Sequence, residues 1–297
     1  MASLPPDHFV KTLQFTKRVH RDVYPAIDPS NPDLALPGKV VIVTGASRGI
    51  GGNGLVPAFA KAGVKAIVLV ARSADRLHAV AAHAKTLNPA LETLVCPTDI
   101  TDEAAVKALF EQVRGAYGHA DVLVNNAAVC PTGSLTETEP KAWWGDLATN
   151  ITATYYPTHH FLLSLPSTSH GEILNIATAA HTVLPTMSSY FLSKLASLQL
   201  SAFVAAENPN VTAISVHPGL VATEMTLDMF RPFAFDTPAL VGGTAVWLCG
   251  ERARFLGGRF VACNWDVEDL EARREEVVGE GLLTVGITGR FGAELFE

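Results

Sequence analysis

Residues 39–51 read KVVIVTGASRGIG: a short apolar run leads into Gly45, Gly49 and Gly51, and a helical stretch follows. Glycines between a strand and a helix allow a tight turn. They also let main-chain amides approach a pyrophosphate at the positive end of the helix. The spacing is GxxxGxG rather than the GxGxxG of the extended dinucleotide-binding enzymes, and a plain packing turn is the competing reading. No GKS or GKT follows, which argues against a nucleoside triphosphatase. A second apolar run, AIVLVA at 66–71, completes a β-α-β unit.

The alternation continues outward from that unit. Strand-like runs recur at 91–96 (LETLVC), from 121 (DVLVNNA), from 171 (GEILNIAT), from 211 (VTAISVHPG) and from 257 (GGRFVACN). Helical patterns occupy 102–117, about 140–164, about 189–206 and about 238–250. Seven nearly continuous apolar strands, rather than alternating ones, indicate an α/β fold: a Rossmann-type, doubly wound, seven-stranded parallel sheet with helices on both faces. Ligands bind such a sheet beyond the carboxyl ends of its strands, which directs attention to Gly45, Arg72, Asp99, Asn125, Thr178 and Pro218.

The flanks differ in character. Residues 1–38 carry six prolines and read as an N-terminal extension, with an irregular apolar side over 8–23 that suits a helix. Residues 39–266 are expected to form one nucleotide-binding domain, and 267–297 a charged, helical C-terminal tail. Over the 297 residues, hydrophobic side chains make up 48% and charged ones 17%, enough to fill a core. A net charge of -7 is a poor match to nucleic acid, and no apolar stretch is long enough to cross a membrane. The N-terminal residues show no secretory pattern. Cys96, Cys130, Cys249 and Cys263 form no CxxC pair, which suits reduced thiols and no metal. The expectation is a soluble cytoplasmic protein acting on a small molecule.

The second strand ends in Val70-Ala71-Arg72-Ser73, without the acid that would hold an adenosine ribose and repel a ribose phosphate. Arg72 and Arg48 are placed to clamp a 2′-phosphate, with Ser73 adding a hydroxyl, so NADP(H) is expected over NAD(H); ordinary surface arginines are the alternative. Tyr190 and Lys194 stand four apart in a helical run and share a face. A charged lysine there is expected to lower the tyrosine pKa and make the phenol a usable acid or base.

Taken together, these elements resemble the short-chain dehydrogenase/reductase family, in its single-domain branch of about 250 residues, over residues 38–266. Thr44-Gly45 through Gly49 and Gly51 resemble TGxxxGxG. Asp99 resembles the adenine-contacting acid, and Asn125-Asn126-Ala127-Ala128 the NNAG element. Asn150 resembles the helix asparagine of the proton relay, Tyr190 to Lys194 the YxxxK motif, and Pro218 to Thr223 the PGxVxT motif. The resemblance implies a catalytic set of Asn150, Thr178, Tyr190 and Lys194. It places Ser47, Arg48, Ile50, Arg72, Ser73, Ile100, Asn126, Ala127, Ala128, Gly219, Val221 and Thr223 at the cofactor with the glycines, Asp99, Pro218, Tyr190 and Lys194. In that reading Asn150 holds a water that links the lysine to solvent, and Thr223 meets the carboxamide. A homodimer or homotetramer through the helices at 140–164 and 189–206 is also implied.

Two departures stand out. The family serine falls in NIATAA, where alignment by strand end gives Thr178, twelve residues before Tyr190 instead of thirteen; Ala177, at the literal spacing, has no hydroxyl. Ala128 replaces a glycine. Residues 220–238 read as an apolar lid over the crevice, and Leu220, Met225, Phe233, Phe235, His181, Met187 and Trp265 are the substrate-pocket candidates. Without a cluster of basic residues in that lid, an apolar or aromatic ketone, aldehyde or alcohol is the expected substrate. A non-redox enzyme on the same fold and a nucleotide-sensing scaffold are the alternatives.

Overall fold

A computed structural model describes residues 4–289. The central sheet takes its strands in the order β3-β2-β1-β4-β5-β6-β7, every pairing parallel. The strands are β1 (Val40–Thr44), β2 (Ala66–Ala71), β3 (Glu92–Pro97), β4 (Val122–Asn125), β5 (Gly171–Ile176), β6 (Val211–His217) and β7 (Phe260–Ala262). Both faces are dry. Along β1, Val41 and Val43 enter one apolar cluster while Val40 and Ile42 enter the other, as period-two side chains in a doubly covered sheet must. β3 is the edge and is only partly buried.

The short helix α1 (His8–Thr12) precedes the sheet, and α2 (Val56–Lys61), α3 (Ala74–Leu87), α4 (Glu103–Tyr117), α5 (Pro140–Ser164), α6 (Ser188–Glu207) and α7 (Pro238–Leu248) connect its strands. α4 starts on an Asp102 cap whose Oδ1 accepts the amides of Ala104 and Ala105, and α7 starts on Thr237, which accepts that of Leu240. Close approach of α7 to the turn before α2 depends on glycine. A Cβ on Gly242 would sit 2.3 Å from the Gly54 carbonyl oxygen, and one on Gly243 would sit 2.4 Å from that of Ile27.

The last contact belongs to the N-terminal segment, which departs from the expected arm. Over 8–23 its only helix is α1, and the chain then follows the β7 side of the sheet in bends, with single 3-10 turns at Pro25–Ile27 and Pro32–Leu34. The reason is long-range pairing. Val19 bridges Trp265 in antiparallel fashion, Trp265 Nε1 donates to the Leu13 carbonyl at 2.8 Å, and Arg18 and His20 both reach Asp266. Ile27 is completely buried. The tail is also less regular than expected: it forms two short helices, α8 (Val267–Ala272) and α9 (Arg274–Gly279), then returns so that the Phe260 amide donates to the Leu283 carbonyl. The arm and tail together cover the β7 edge, which would otherwise offer unpaired backbone groups. Residues 290–297 of the expected tail lie outside the described residues. Among the described residues, no helix is long and apolar enough to cross a membrane.

Candidate active site

The crevice lies past the ends of β1 and β4, where the strand order reverses. Thr44 is fully buried at the end of β1, and its hydroxyl accepts the amides of Asn126 at 3.0 Å and Ala127 at 3.2 Å. Asn126 Nδ2 answers by donating to the carbonyls of Thr44 and Gly45. Asn126 therefore holds the glycine loop in shape. Gly45 has φ +65°, and a Cβ there would stand 2.8 Å from Asn126 Nδ2. At Gly51 a Cβ would lie 2.2 Å from the Gly45 carbonyl oxygen, so the turn closes on itself only without side chains.

Of the other expected cofactor residues, Ser47, Gly49 and Ile50 are half-buried along this loop, and Ala128 is half-buried past β4. Arg72 and Ser73 are exposed at the end of β2. Asp99 is exposed past β3. Its carboxyl is held below the ordinary range by hydrogen bonds from the Thr101 amide and hydroxyl, with a smaller contribution from the Arg72 charge. Ile100 is buried in an apolar cluster. Arg48 pairs with Glu224, just past Thr223. This set fits a dinucleotide: a side-chain-free turn at the end of β1, cationic and hydroxyl groups after β2, and a carboxylate after β3.

Tyr190 and Lys194 stand one turn apart on α6, with Nζ 5.9 Å from the phenol ring centroid. Lys194 is 4% exposed and donates to the Ile176 carbonyl, the last of β5, at 2.6 Å. Burial brings its pKa down to about 8. Burial also pushes the Tyr190 phenol above its ordinary 10, opposite to the expected lowering by lysine. Desolvation is the main cause, and the Lys194 ammonium does not offset it, being itself disfavoured by burial and directed to a backbone carbonyl. The phenol is therefore held as the proton-bearing form.

Asn150, on α5, is buried, and its side chain is fully engaged. Oδ1 accepts the Val129 amide, while Nδ2 donates to the Val129 carbonyl and to the Ser193 hydroxyl, at 2.9, 2.9 and 3.0 Å. Ser193 in turn donates to the Tyr190 carbonyl. With both amide hydrogens committed, the side chain positions neighbouring elements and has no donor left for a water. Thr178 is the first half-buried residue beyond β5, whereas Ala177 is 2% exposed within the core and donates its amide to the Val216 carbonyl.

The seven pocket candidates do not form one wall. Phe233 is 3% exposed because Phe9 packs edge-on against it at 5.0 Å. Trp265, at 4%, is held between Phe15 and Phe260. Both pack against the N-terminal arm. Trp265 and His181 do share one cavity of about 280 Å³ with Leu13, Phe15, Leu198 and Phe260. Met187 is buried and its carbonyl accepts the Phe191 amide at the start of α6. Leu220 is half-buried, while Met225 and Phe235 are exposed, the latter beneath the Arg21 guanidinium.

Sequence reasoning missed what anchors residues 220–238. Asp236 is 4% exposed, accepts the Leu220 amide at 2.6 Å and the Asn264 amide group at 3.0 Å, and leaves no room for a side chain at Gly219, which has φ +78°. A single acid inside the aromatic run FAFDTP was the available signal. Cys130 was also missed. It is half-buried, its thiol is pushed up to about 11 by burial, and it lies within electrostatic reach of Tyr190 and Lys194.

Comparisons with known proteins agree with this geometry. Residues 39–232 match the family described as short chain dehydrogenase. The chain is 36% identical over 278 residues to short chain dehydrogenase pigC of Monascus ruber, covering 89% of this chain and 90% of that one. It is 37% identical over 276 residues to short chain dehydrogenase tazN of Aspergillus terreus, covering 89% of this chain; it spans only 60% of that protein's length. Among solved structures, a short-chain dehydrogenase/reductase from Serratia marcescens superposes with a TM-score of 0.70 at 28% identity, covering 77% of this chain and 97% of that one. By its matched sequence, its parallel sheet and the Tyr190–Lys194 pair above the crevice, the chain belongs to the short-chain dehydrogenase family of nicotinamide-dependent oxidoreductases.

Proposed function

We propose that this enzyme is an NADPH-dependent reductase of an apolar or aromatic ketone or aldehyde, also able to run the reverse oxidation. The observation that carries the reading is the Tyr190–Lys194 pair on α6, tied through Ser193 and Asn150 to the loop after β4. When bound, NADPH supplies a hydride to the carbonyl carbon. Tyr190 delivers its proton to the carbonyl oxygen as charge develops there, and the Thr178 hydroxyl donates a hydrogen bond to the same oxygen. Lys194, close to neutrality at about pKa 8, restores the proton to the phenol. Asn150 keeps the helix and the loop in register.

The choice of NADP over NAD is supported by the exposed Arg72 and Ser73 at the end of β2, where an acid would be needed to favour NAD. Gly45, Gly49 and Gly51 are the positions at which the backbone approaches the pyrophosphate, Asp99 takes the adenine end, and Pro218, Gly219, Val221 and Thr223 take the nicotinamide end. The four free cysteines suit a reducing cytoplasm. An oligomer built on α5 and α6 is supported by an apolar exposed face: Trp144, Ile151, Tyr155 and Leu163 on α5, with Leu192 and Phe203 on α6.

A panel of apolar and aromatic carbonyl compounds, assayed with both reduced cofactors, tests the function. Loss of reduced-nicotinamide absorbance in step with alcohol formation, faster with NADPH, is the expected outcome. Turnover of a substrate without net cofactor oxidation would establish the non-redox alternative instead. Sedimentation as a monomer at micromolar concentration would remove the oligomer.

A further inference from the structure

Two loops that enter the crevice from different strands meet at one ion pair. Arg48, in the glycine loop after β1, is bound to Glu224, in the turn after β6, and the two side chains are 57% and 64% exposed. The backbones beneath them are also close: a Cβ on Gly49 would stand 3.6 Å from Thr223 Cγ2. The turn bearing Glu224 is internally braced. The Thr223 amide donates to the Thr226 hydroxyl, the Thr226 hydroxyl donates to the Val221 carbonyl, and the Met225 amide donates to the Thr223 hydroxyl. Glu224 is thus presented to Arg48 from a fixed support.

We propose that Glu224 tunes cofactor affinity by competing with the 2′-phosphate for Arg48, whose guanidinium leaves the turn after β6 to reach the adenosine end. This rests on the NADP reading above and assigns the role to a residue outside the family motifs quoted for this chain. An exposed ion pair is weak, so a doubly charged phosphate displaces the carboxylate readily, whereas a cofactor without that phosphate gains nothing from doing so. Glu224 therefore lowers the affinity for NADPH, leaves that for NADH nearly unchanged, and releases its turn from the glycine loop when NADPH binds. Because both groups face water, added salt weakens the competition.

The test is a fluorescence titration of the full-length protein with NADPH and with NADH, without substrate, for wild type, Glu224→Gln, Arg48→Ala and the double variant. Glu224→Gln is expected to tighten NADPH by about two- to five-fold and to leave NADH unchanged, the range that loss of one exposed carboxylate allows. On the Arg48→Ala background the same substitution is expected to change nothing, because the competition runs through Arg48. Unchanged NADPH affinity in Glu224→Gln, equal tightening of both cofactors, or an effect that persists without Arg48 would overturn the proposal. A wild-type protein that binds NADH more tightly than NADPH would overturn the cofactor reading itself, a result distinguishable before any variant is compared.

Discussion

Asn150 and Ser193 meet where α5 packs on α6, and the 3.0 Å bond between the amide nitrogen and the hydroxyl joins the loop after β4 to the helix that carries Tyr190 and Lys194. Ser193 passes the connection to the Tyr190 backbone, and Val129 is clamped by Asn150 through both its amide and its carbonyl. One side chain thereby sets the spacing of two walls of the crevice.

Replacing Asn150 with alanine removes three hydrogen bonds from a buried place and leaves their partners unsatisfied. A loss of about 2–4 kcal/mol of stability is expected, with kcat/KM lowered by about tenfold or more. Urea denaturation and steady-state kinetics on the same preparation check both. A destabilised variant with undiminished kcat/KM would reduce Asn150 to a purely structural role.

Thr178 and Ala177 are separated by their surroundings: one is half-buried beyond β5, the other buried in the core. Thr178→Val keeps the branched shape and deletes the donor, so kcat/KM should fall by roughly 10²-fold with little change in cofactor binding. Thr178→Ser should keep substantial activity. A fully active valine variant would place the carbonyl oxygen against another donor.

Arg72→Asp should weaken NADPH by roughly 10- to 100-fold while sparing NADH, as expected for a lost charge-assisted bond of about 1.5–3 kcal/mol. Titration with each cofactor reads the difference. Equal losses would mean that Arg72 does not face the 2′-phosphate.

Glu172, at the start of β5, is 3% exposed, and its Oε2 has no hydrogen-bond partner among the described residues. Burial raises its pKa from 4.5 to about 7, despite the nearby charges of Lys39 and Arg254. Between those values the folded protein holds a proton that the unfolded chain releases. Its contribution is therefore complete below pH 4.5 and is lost as pH rises through about 7. Glu172→Gln should gain about 1–3 kcal/mol over wild type near pH 8 and little near pH 4. Denaturation at both values measures it, and a pH-independent difference would contradict the assignment.

Much of this was readable in the sequence because it was local. Strands such as VVIVT and AIVLVA are apolar at every position, which only a sheet buried on both faces requires, and the tyrosine–lysine spacing follows from helix geometry. What escaped depended on distant partners. Trp265 is fixed by the Leu13 carbonyl, 252 residues away in sequence, and Phe233 packs on Phe9, partners that aromatic character alone does not reveal. The direction of the Tyr190 shift escaped for a related reason. Spacing reveals the neighbouring lysine, whereas desolvation arises from everything packed around the phenol.

The central claim is that the Tyr190 phenol delivers the proton, and Tyr190→Phe tests it most directly. Cofactor binding and carbonyl reduction should be measured together, in an assay where the chemical step limits the rate. The account expects nicotinamide binding to be retained and reduction to fall by about 10²- to 10⁴-fold. A phenylalanine variant that reduces the substrate at the wild-type rate would contradict it.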